Sequence, residues 1–312
     1  MSANAPVKAA ILLMAHGAPK NLEDVPSFLA GMRAQPFSDA AVQEIAERYR
    51  KIGGRSPLAG HVRTIARELE RALQGGGFGA KVYIGMKHGK PSIEDAVSAM
   101  REDAHASALA LPLAPFQSSM TDEAYLSRAR AAAAGPKPLA LFSPPDWSAH
   151  PMLVGALSEK LKAALAQLPS TVKGSALVLF SGHSLPASVV EAGDPYDEQL
   201  RLSAAAVAQE AGVMEWMMGY QSAPGDAQGK WLGPAVGELI GMAAKGGMKA
   251  VVLQPIGYLV DCLETLYDDD VVYRDQAEGL GLAFARVPAL NDDPIFVSAL
   301  AALVRASFAP LS

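Results

Sequence analysis

Eight apolar runs of strand length punctuate the chain, at 9–15, 81–86, 108–114, 139–143, 174–181, 215–220, 250–258 and 282–288. They are continuous rather than alternating, as strands buried on both faces of a parallel sheet are. Between them the apolar positions shift to helical spacing, over 40–52, 60–74, 92–103, 121–134, 152–167, 195–211, 234–245 and 260–277. Strand and helix in alternation predict βαβ units and parallel sheets. The strands divide four and four about Ser143-Pro144-Pro145-Asp146-Trp147, a stretch hostile to helix. The expected fold is α/β with two similar domains, 6–145 and 146–290, each with a four-stranded parallel sheet flanked by helices. Residues 291–312 are expected to supply a C-terminal helix that packs back towards the first domain, because its apolar face needs cover.

The halves look alike. Ala9 to Pro19 follows the same order as Ala176 to Pro186: apolar strand, small residue, histidine, small residue, one more, proline. Leu109-Ala110-Leu111-Pro112-Leu113-Ala114-Pro115 likewise echoes Val251-Val252-Leu253-Gln254-Pro255-Ile256-Gly257. The repeat is faint; an internal duplication is one reading of it. Gly75-Gly76-Gly77-Phe78-Gly79 imitates a phosphate loop, but such a loop follows a strand and opens a helix. This one follows a helix and precedes a strand, so it reads as a helix stop and turn.

Composition narrows the function classes. The chain has 312 residues, half of them hydrophobic, enough for two cored domains. Its net charge of −5 argues against a nucleic-acid surface. With one cysteine, Cys262, it can form no internal disulfide and no cysteine-ligated iron–sulfur cluster of its own. The first apolar run leads straight into His16-Gly17 without a cleavage-like site, and no run approaches the ~18 apolar residues of a membrane span. A cytoplasmic protein without stable membrane insertion is expected.

The chemistry centres on Ser181-Gly182-His183-Ser184-Leu185-Pro186. A strand ending in Ser-Gly-His puts an imidazole at the carboxyl edge of a sheet, where open α/β folds bind their ligands. After it come Gly193-Asp194-Pro195-Tyr196, Gln221-Ser222-Ala223-Pro224-Gly225, Trp231-Leu232-Gly233-Pro234 and Asp261-Cys262-Leu263-Glu264-Thr265-Leu266. In this order the motifs resemble those of the ferrochelatases, which insert ferrous iron into a porphyrin. The resemblance runs from His16-Gly17 to Asn291 and is most like the Gram-positive type that acts on coproporphyrin III. It implies the chelatase fold, a pair of Rossmann-like domains with a cleft between them.

Porphyrin metalation requires a base near neutral pKa for two pyrrole protons, and a metal ligand weak enough to let go. Neutral imidazole and carboxylate meet those needs for Fe(II). The resemblance assigns these roles to His183 and Glu264, facing the porphyrin centre as catalytic and metal-contacting residues. Asp261, Glu264 and Asp268 recur at i, i+3 and i+7, one face of an α-helix. Asp261 and Asp268 thus form either a relay for protons or hydrated cations, or ordinary acidic surface. The family often continues this row where Val272 stands, and usually has histidine in place of Cys262, which reads as a small hydrophobe or a reactive thiol.

In the first half the resemblance implies a porphyrin pocket. His16 stands where the Gram-positive type often has tyrosine, and is read as a pocket contact or metal ligand, or else as a strand-end histidine bonded to its loop. Arg33 lies on the helix bordering the porphyrin, with Met32 as pocket wall; a guanidinium can hold a propionate bidentately. Arg48 opens Arg48-Tyr49-Arg50-Lys51-Ile52-Gly53-Gly54-Arg55-Ser56-Pro57-Leu58, where Ser56 precedes a helix and suits a carboxylate. Lys87, His88, Ser118, Thr121 and Tyr125 complete the implied lining. The resemblance implies ferrous iron and, more than protoporphyrin, coproporphyrin III as substrates: protoporphyrin-type members often have a long apolar lip before the Ile-Gly-Gly-x-Ser-Pro motif, whereas the link from Arg33 to Ile52 is short and polar. The alternatives are protoporphyrin IX, or a non-catalytic porphyrin or haem carrier. No cofactor beyond the substrate iron is expected. The partners implied are transient contacts with neighbouring haem-pathway enzymes.

Overall fold

Eight parallel strands form from the eight apolar runs, in two four-stranded sheets. The first holds β1 (Ala9–Ala15), β2 (Ala80–Met86), β3 (Ser107–Pro112) and β4 (Ala140–Phe142), in the order β2-β1-β3-β4. The second holds β5 (Ala176–His183), β6 (Trp216–Gln221), β7 (Ala250–Gln254) and β8 (Ala283–Arg286), in the order β6-β5-β7-β8. Helices flank both, so the fold is the α/β pair of Rossmann-like sheets read from the alternation. The structure is a computed structural model and describes residues 9–32, 35–223 and 229–309.

Strand burial explains the runs. All seven residues of β1 are buried, because β1 is interior to its sheet and helices cover both faces. Leu12 pairs in register with Tyr83 on one side and Ala110 on the other. It packs with Met14, Met100, Leu126 and Ala129 in one face of the core. In the second sheet Leu179 stands between Met217 and Leu253 and packs with Leu239, Ile240 and Val251.

Where bounds differ, the cause is local. β7 stops at Gln254 rather than running to 258, since Pro255 has no amide hydrogen and Tyr258 N turns back to Pro255 O at 2.9 Å. The Gly75–Gly79 segment ends the helix Leu58–Gly75 and leads into β2, with Gly77 at a φ of 77°. The run read as one helix over 260–277 is wound as a π-helix over Thr265–Tyr273, followed by the α-helix Arg274–Gly279.

The chain divides into two units. The first comprises the described residues up to 115, 119–147 and those from 291 on; the second comprises 116–118 and 148–290. This differs from one cut after 145. Residues 116–118 join the second unit, where Gln117 N donates to Gln199 Oε1 (2.7 Å) and Ser118 Oγ donates to Asp194 Oδ2 (3.0 Å).

Within the first unit the last helix, Pro294–Ser307, lies on the helix Leu58–Gly75. Arg305 Nη2 donates to Ala72 O at 2.8 Å, and Phe308 meets Phe78 and Phe142 at ring separations of 5.4 and 5.0 Å. A Cβ at Gly76 would come within 2.3 Å of Arg305 Nη2, so a side chain there would displace the guanidinium. Among the described residues no helix is long and apolar enough to cross a membrane.

Leu12 is fully buried on a central strand. Leu12→Ala should therefore cost about 2–5 kcal/mol, transfer plus cavity, measured by denaturant unfolding.

Candidate active site

In the second unit the candidate residues lie at the carboxyl ends of β5 and β6 and in the segment that leaves β7. Gly257 lets the β7 exit reach the end of β5, and Gly182 lets the helix Tyr196–Ala211 approach the same strand. A Cβ on Gly182 would sit 2.7 Å from Leu200 Cδ1, and one on Gly257 would sit 2.9 Å from Gly182 Cα. Gly257 N also donates to Ser181 O at 3.0 Å. The turn after β7 therefore rests directly on the end of β5, and the chain that follows it carries Tyr258, Cys262 and Glu264.

His183 ends β5, half-buried. Its Nδ1 lies 2.6 Å from Ser184 O. A carbonyl oxygen only accepts, so Nδ1 carries a hydrogen, and in the neutral ring the lone pair is at Nε2. Tyr196 of the Asp-Pro-Tyr motif holds the same residue by its carbonyl, Tyr196 Oη donating to His183 O at 3.0 Å. Burial pushes the Tyr196 phenol up, so it remains a donor.

Glu264 is half-buried at the start of the π-helix. The Cys262 thiol hydrogen-bonds to it. Burial and then the Glu264 carboxylate push that thiol well up, which keeps it protonated and unlike a reactive thiolate. Tyr258 is likewise pushed well up, by burial first and Glu264 next. Glu264 thus faces two neutral groups.

The acidic row takes a different form from one α-helical face. Asp261 precedes the helix, buried, and binds Arg286 Nη1 (2.8 Å) and Thr265 Oγ1 (3.0 Å). Asp268 accepts from Ser222 Oγ at 2.6 Å. Ser222 holds a φ of 61°, unusual for a residue with a Cβ. Asp270 takes the fork of Arg286, Nε to Oδ1 at 2.7 Å and Nη2 to Oδ2 at 2.9 Å. The i, i+3, i+7 spacing assumed α-winding, whereas this segment is π-wound and its carboxylates reach different strands.

In the first unit, His16 and His88 lie at the ends of β1 and β2 with ring centroids 4.9 Å apart, and the Phe28 ring is 6.3 Å from His16 and 6.1 Å from His88. His16 Nδ1 bonds Gly17 O at 3.2 Å, the same local contact that His183 makes. His88 is pushed down to about 4, chiefly by burial and then by His16 and Lys87, so it is neutral near pH 7. Lys87 is lowered by burial and by Arg128, and its Nζ lies 5.4 Å from the Tyr125 ring centroid. Arg128 bonds the Lys87 carbonyl and grips Glu94 at 2.6 and 3.0 Å.

The other expected pocket residues are placed as follows. Tyr125 is a core side chain. Ser56 Oγ accepts from Leu58 N at 3.3 Å, starting the next helix. Arg48 pairs with Glu44 at 2.6 Å on the helix Asp39–Lys51. Thr121 immediately precedes the helix Asp122–Ala133, Ser118 is bonded to Asp194, and Met32 is half-buried. Arg33 lies outside the described residues. Among the described residues no three His, Cys, Asp or Glu side chains form a metal cluster. Sequence reasoning missed Arg286 and Arg128; a lone arginine ending the apolar strand β8 was the readable signal for the first.

Two outcomes follow from these contacts. Arg286→Met strands two carboxylates. Its cost should be about 3 kcal/mol by denaturant unfolding, the lower end of the range for breaking a buried pair, since Asp270 remains 35% exposed. His88 has a depressed pKa, so its contribution is full above the unfolded value of about 6.5 and is lost as pH falls through about 4. His88→Phe should flatten the fall in melting temperature between those pH values relative to the unsubstituted protein.

The family model described as Ferrochelatase matches residues 8–308. A ferrochelatase of Deinococcus radiodurans is 37% identical over 298 residues, covering 94% of each chain. A coproporphyrin III ferrochelatase of Bacillus subtilis is 35% identical over 301 residues, covering 95% of this chain and 97% of its own. Among solved structures, SirB from Bacillus subtilis with Fe3+ superposes with a TM-score of 0.59 at 15% identity, over 97% of this chain and 96% of its own, which shows the shared fold. The chain belongs to the ferrochelatase family.

Proposed function

We propose that this protein inserts ferrous iron into a porphyrin in haem synthesis, with His183 as proton acceptor and iron ligand and Glu264 as its carboxylate counterpart. The observation that carries the reading is the fixed tautomer of His183. Its Nδ1 is tied to Ser184 O, which leaves the Nε2 lone pair at the sheet edge to take a proton or a metal. The Gly257–Gly182 contact supports a role for Glu264 at the same edge.

The reaction exchanges Fe2+ for two pyrrole protons, so each iron that enters releases two hydrogen ions. A neutral imidazole can accept such protons and pass them on to water. Imidazole nitrogen and carboxylate oxygen both ligate Fe(II) without the strength of a thiolate set, so iron can leave them for the macrocycle. The favoured porphyrin is coproporphyrin III. Its support is the similarity to relatives that carry this name, together with the short polar link before Ile52.

Purified protein incubated anaerobically with Fe(II) and each porphyrin, and followed by its Soret band, tests the reading. Coproporphyrin III should be metalated faster than protoporphyrin IX; the reverse order rejects the substrate assignment. His183→Ala should lower kcat by about 10²–10⁴-fold, the usual weight of general acid–base catalysis. Glu264→Gln should raise KM for iron more than KM for porphyrin. A His183→Ala protein that binds porphyrin and metalates at full rate would instead favour a carrier.

A further inference from the structure

Asp269 is the one member of the Asp268-Asp269-Asp270 run whose side chain is fully buried, and the arrangement around it is incomplete for a charged carboxylate. Gln221, itself only 2% exposed, donates from Nε2 to Asp269 Oδ1 at 2.9 Å. The other oxygen of each group, Gln221 Oε1 and Asp269 Oδ2, is buried without a hydrogen-bond partner. Two orphaned acceptors on two groups already bonded to each other are costly if both only accept. One hydrogen on Oδ2 removes both defects, because a carboxylic acid and a primary amide form a ring of two hydrogen bonds.

We propose that Asp269 is a neutral carboxylic acid that accepts from Gln221 Nε2 and donates from Oδ2 to Gln221 Oε1, and that this pair fastens the π-helix to the end of β6 as a positioning contact.

The surrounding charges are consistent with it. Arg286, the nearby cation from β8, has its fork on Asp270 and its other arm on Asp261. Asp268 and Asp270 flank Asp269 with negative charge, and Tyr273 of the same helix is a phenol held protonated by burial. Glu238 and Lys245 on the helix Val236–Lys245, and Arg274, Asp275 and Glu278 on the helix Arg274–Gly279, all stand exposed. Burial first, and then the neighbouring aspartates, push Asp269 well above the usual carboxylate range, against Arg286 and Gln221. Gln221 is the β6 residue in register with His183, so the pair ties the helix carrying Asp268 to the strand beside the histidine without adding a third adjacent charge. The inference stands apart from the reaction assigned above.

The test needs no turnover. Infrared spectra of the wild-type protein at neutral pH should contain the carbonyl stretch of a protonated carboxyl group, absent from Asp269→Asn. A raised pKa contributes its stability below the unfolded value of about 3.9 and loses it as pH rises towards the folded value. Asparagine keeps the amide-like pairing and never ionises. The melting temperature of Asp269→Asn relative to wild type should therefore climb by several degrees as pH rises above about 4, while Asp269→Ala melts below Asp269→Asn throughout. An unchanged infrared spectrum overturns the proposal, and so does an Asn–wild-type difference that is flat or falls with pH.

Discussion

The backbone of Gly257 lies against that of Gly182, and the candidate site in the second unit depends on that contact. A Cβ on Gly257 would meet the Gly182 backbone, and one on Gly182 would meet the Leu200 side chain. The missing side chain of Gly257 lets the exit of β7 rest on the end of β5, and that of Gly182 leaves room for Leu200. The segment that leads on to Glu264 thus starts against the strand end that carries His183. Main-chain hydrogen bonds reinforce this, from Gly257 to Ser181 and from Ser184 to Gln221.

The π-helix then distributes charge. Three consecutive aspartates would repel one another in an ordinary exposed turn. Here each has its own partner: a serine hydroxyl for Asp268, an amide for Asp269, a guanidinium for Asp270. Arg286 answers both Asp261 and Asp270 and so ties the segment before the helix to the helix itself. Buried ion pairs of this kind add little net stability, because desolvation offsets much of the attraction, but they penalise any other arrangement of the same charges.

The first unit uses the same topology with different chemistry. Its sheet has the equivalent strand order, and its first strand likewise ends near a histidine bonded to the next carbonyl. That histidine stands beside a second imidazole, kept neutral by burial, which adjoins a lysine whose charge is disfavoured by burial and then by Arg128. Such groups accept hydrogen bonds, or soften positive charge, more readily than an exposed basic cluster would.

The sequence by itself determined the two sheets, because parallel strands buried on both faces must be continuously apolar, and those runs survive in any context. It determined the helix stop at Gly75–Gly79, and its motif order carries the resemblance that points to His183 and Glu264. Tertiary structure alone decided how the acidic segment is wound and what each carboxylate meets. Asp261 and Asp268 have α-helical spacing on paper, yet the i→i+5 winding and the approach of Arg286, Ser222 and Gln221 come from distant strands. Ser118 shows the same limit: its position in sequence suits a pocket of the first half, but Asp194 takes it into the second unit. Local patterns record what a residue prefers to be beside. Which partner arrives, and whether a buried acid keeps its proton, depends on groups brought from elsewhere in the chain by folding.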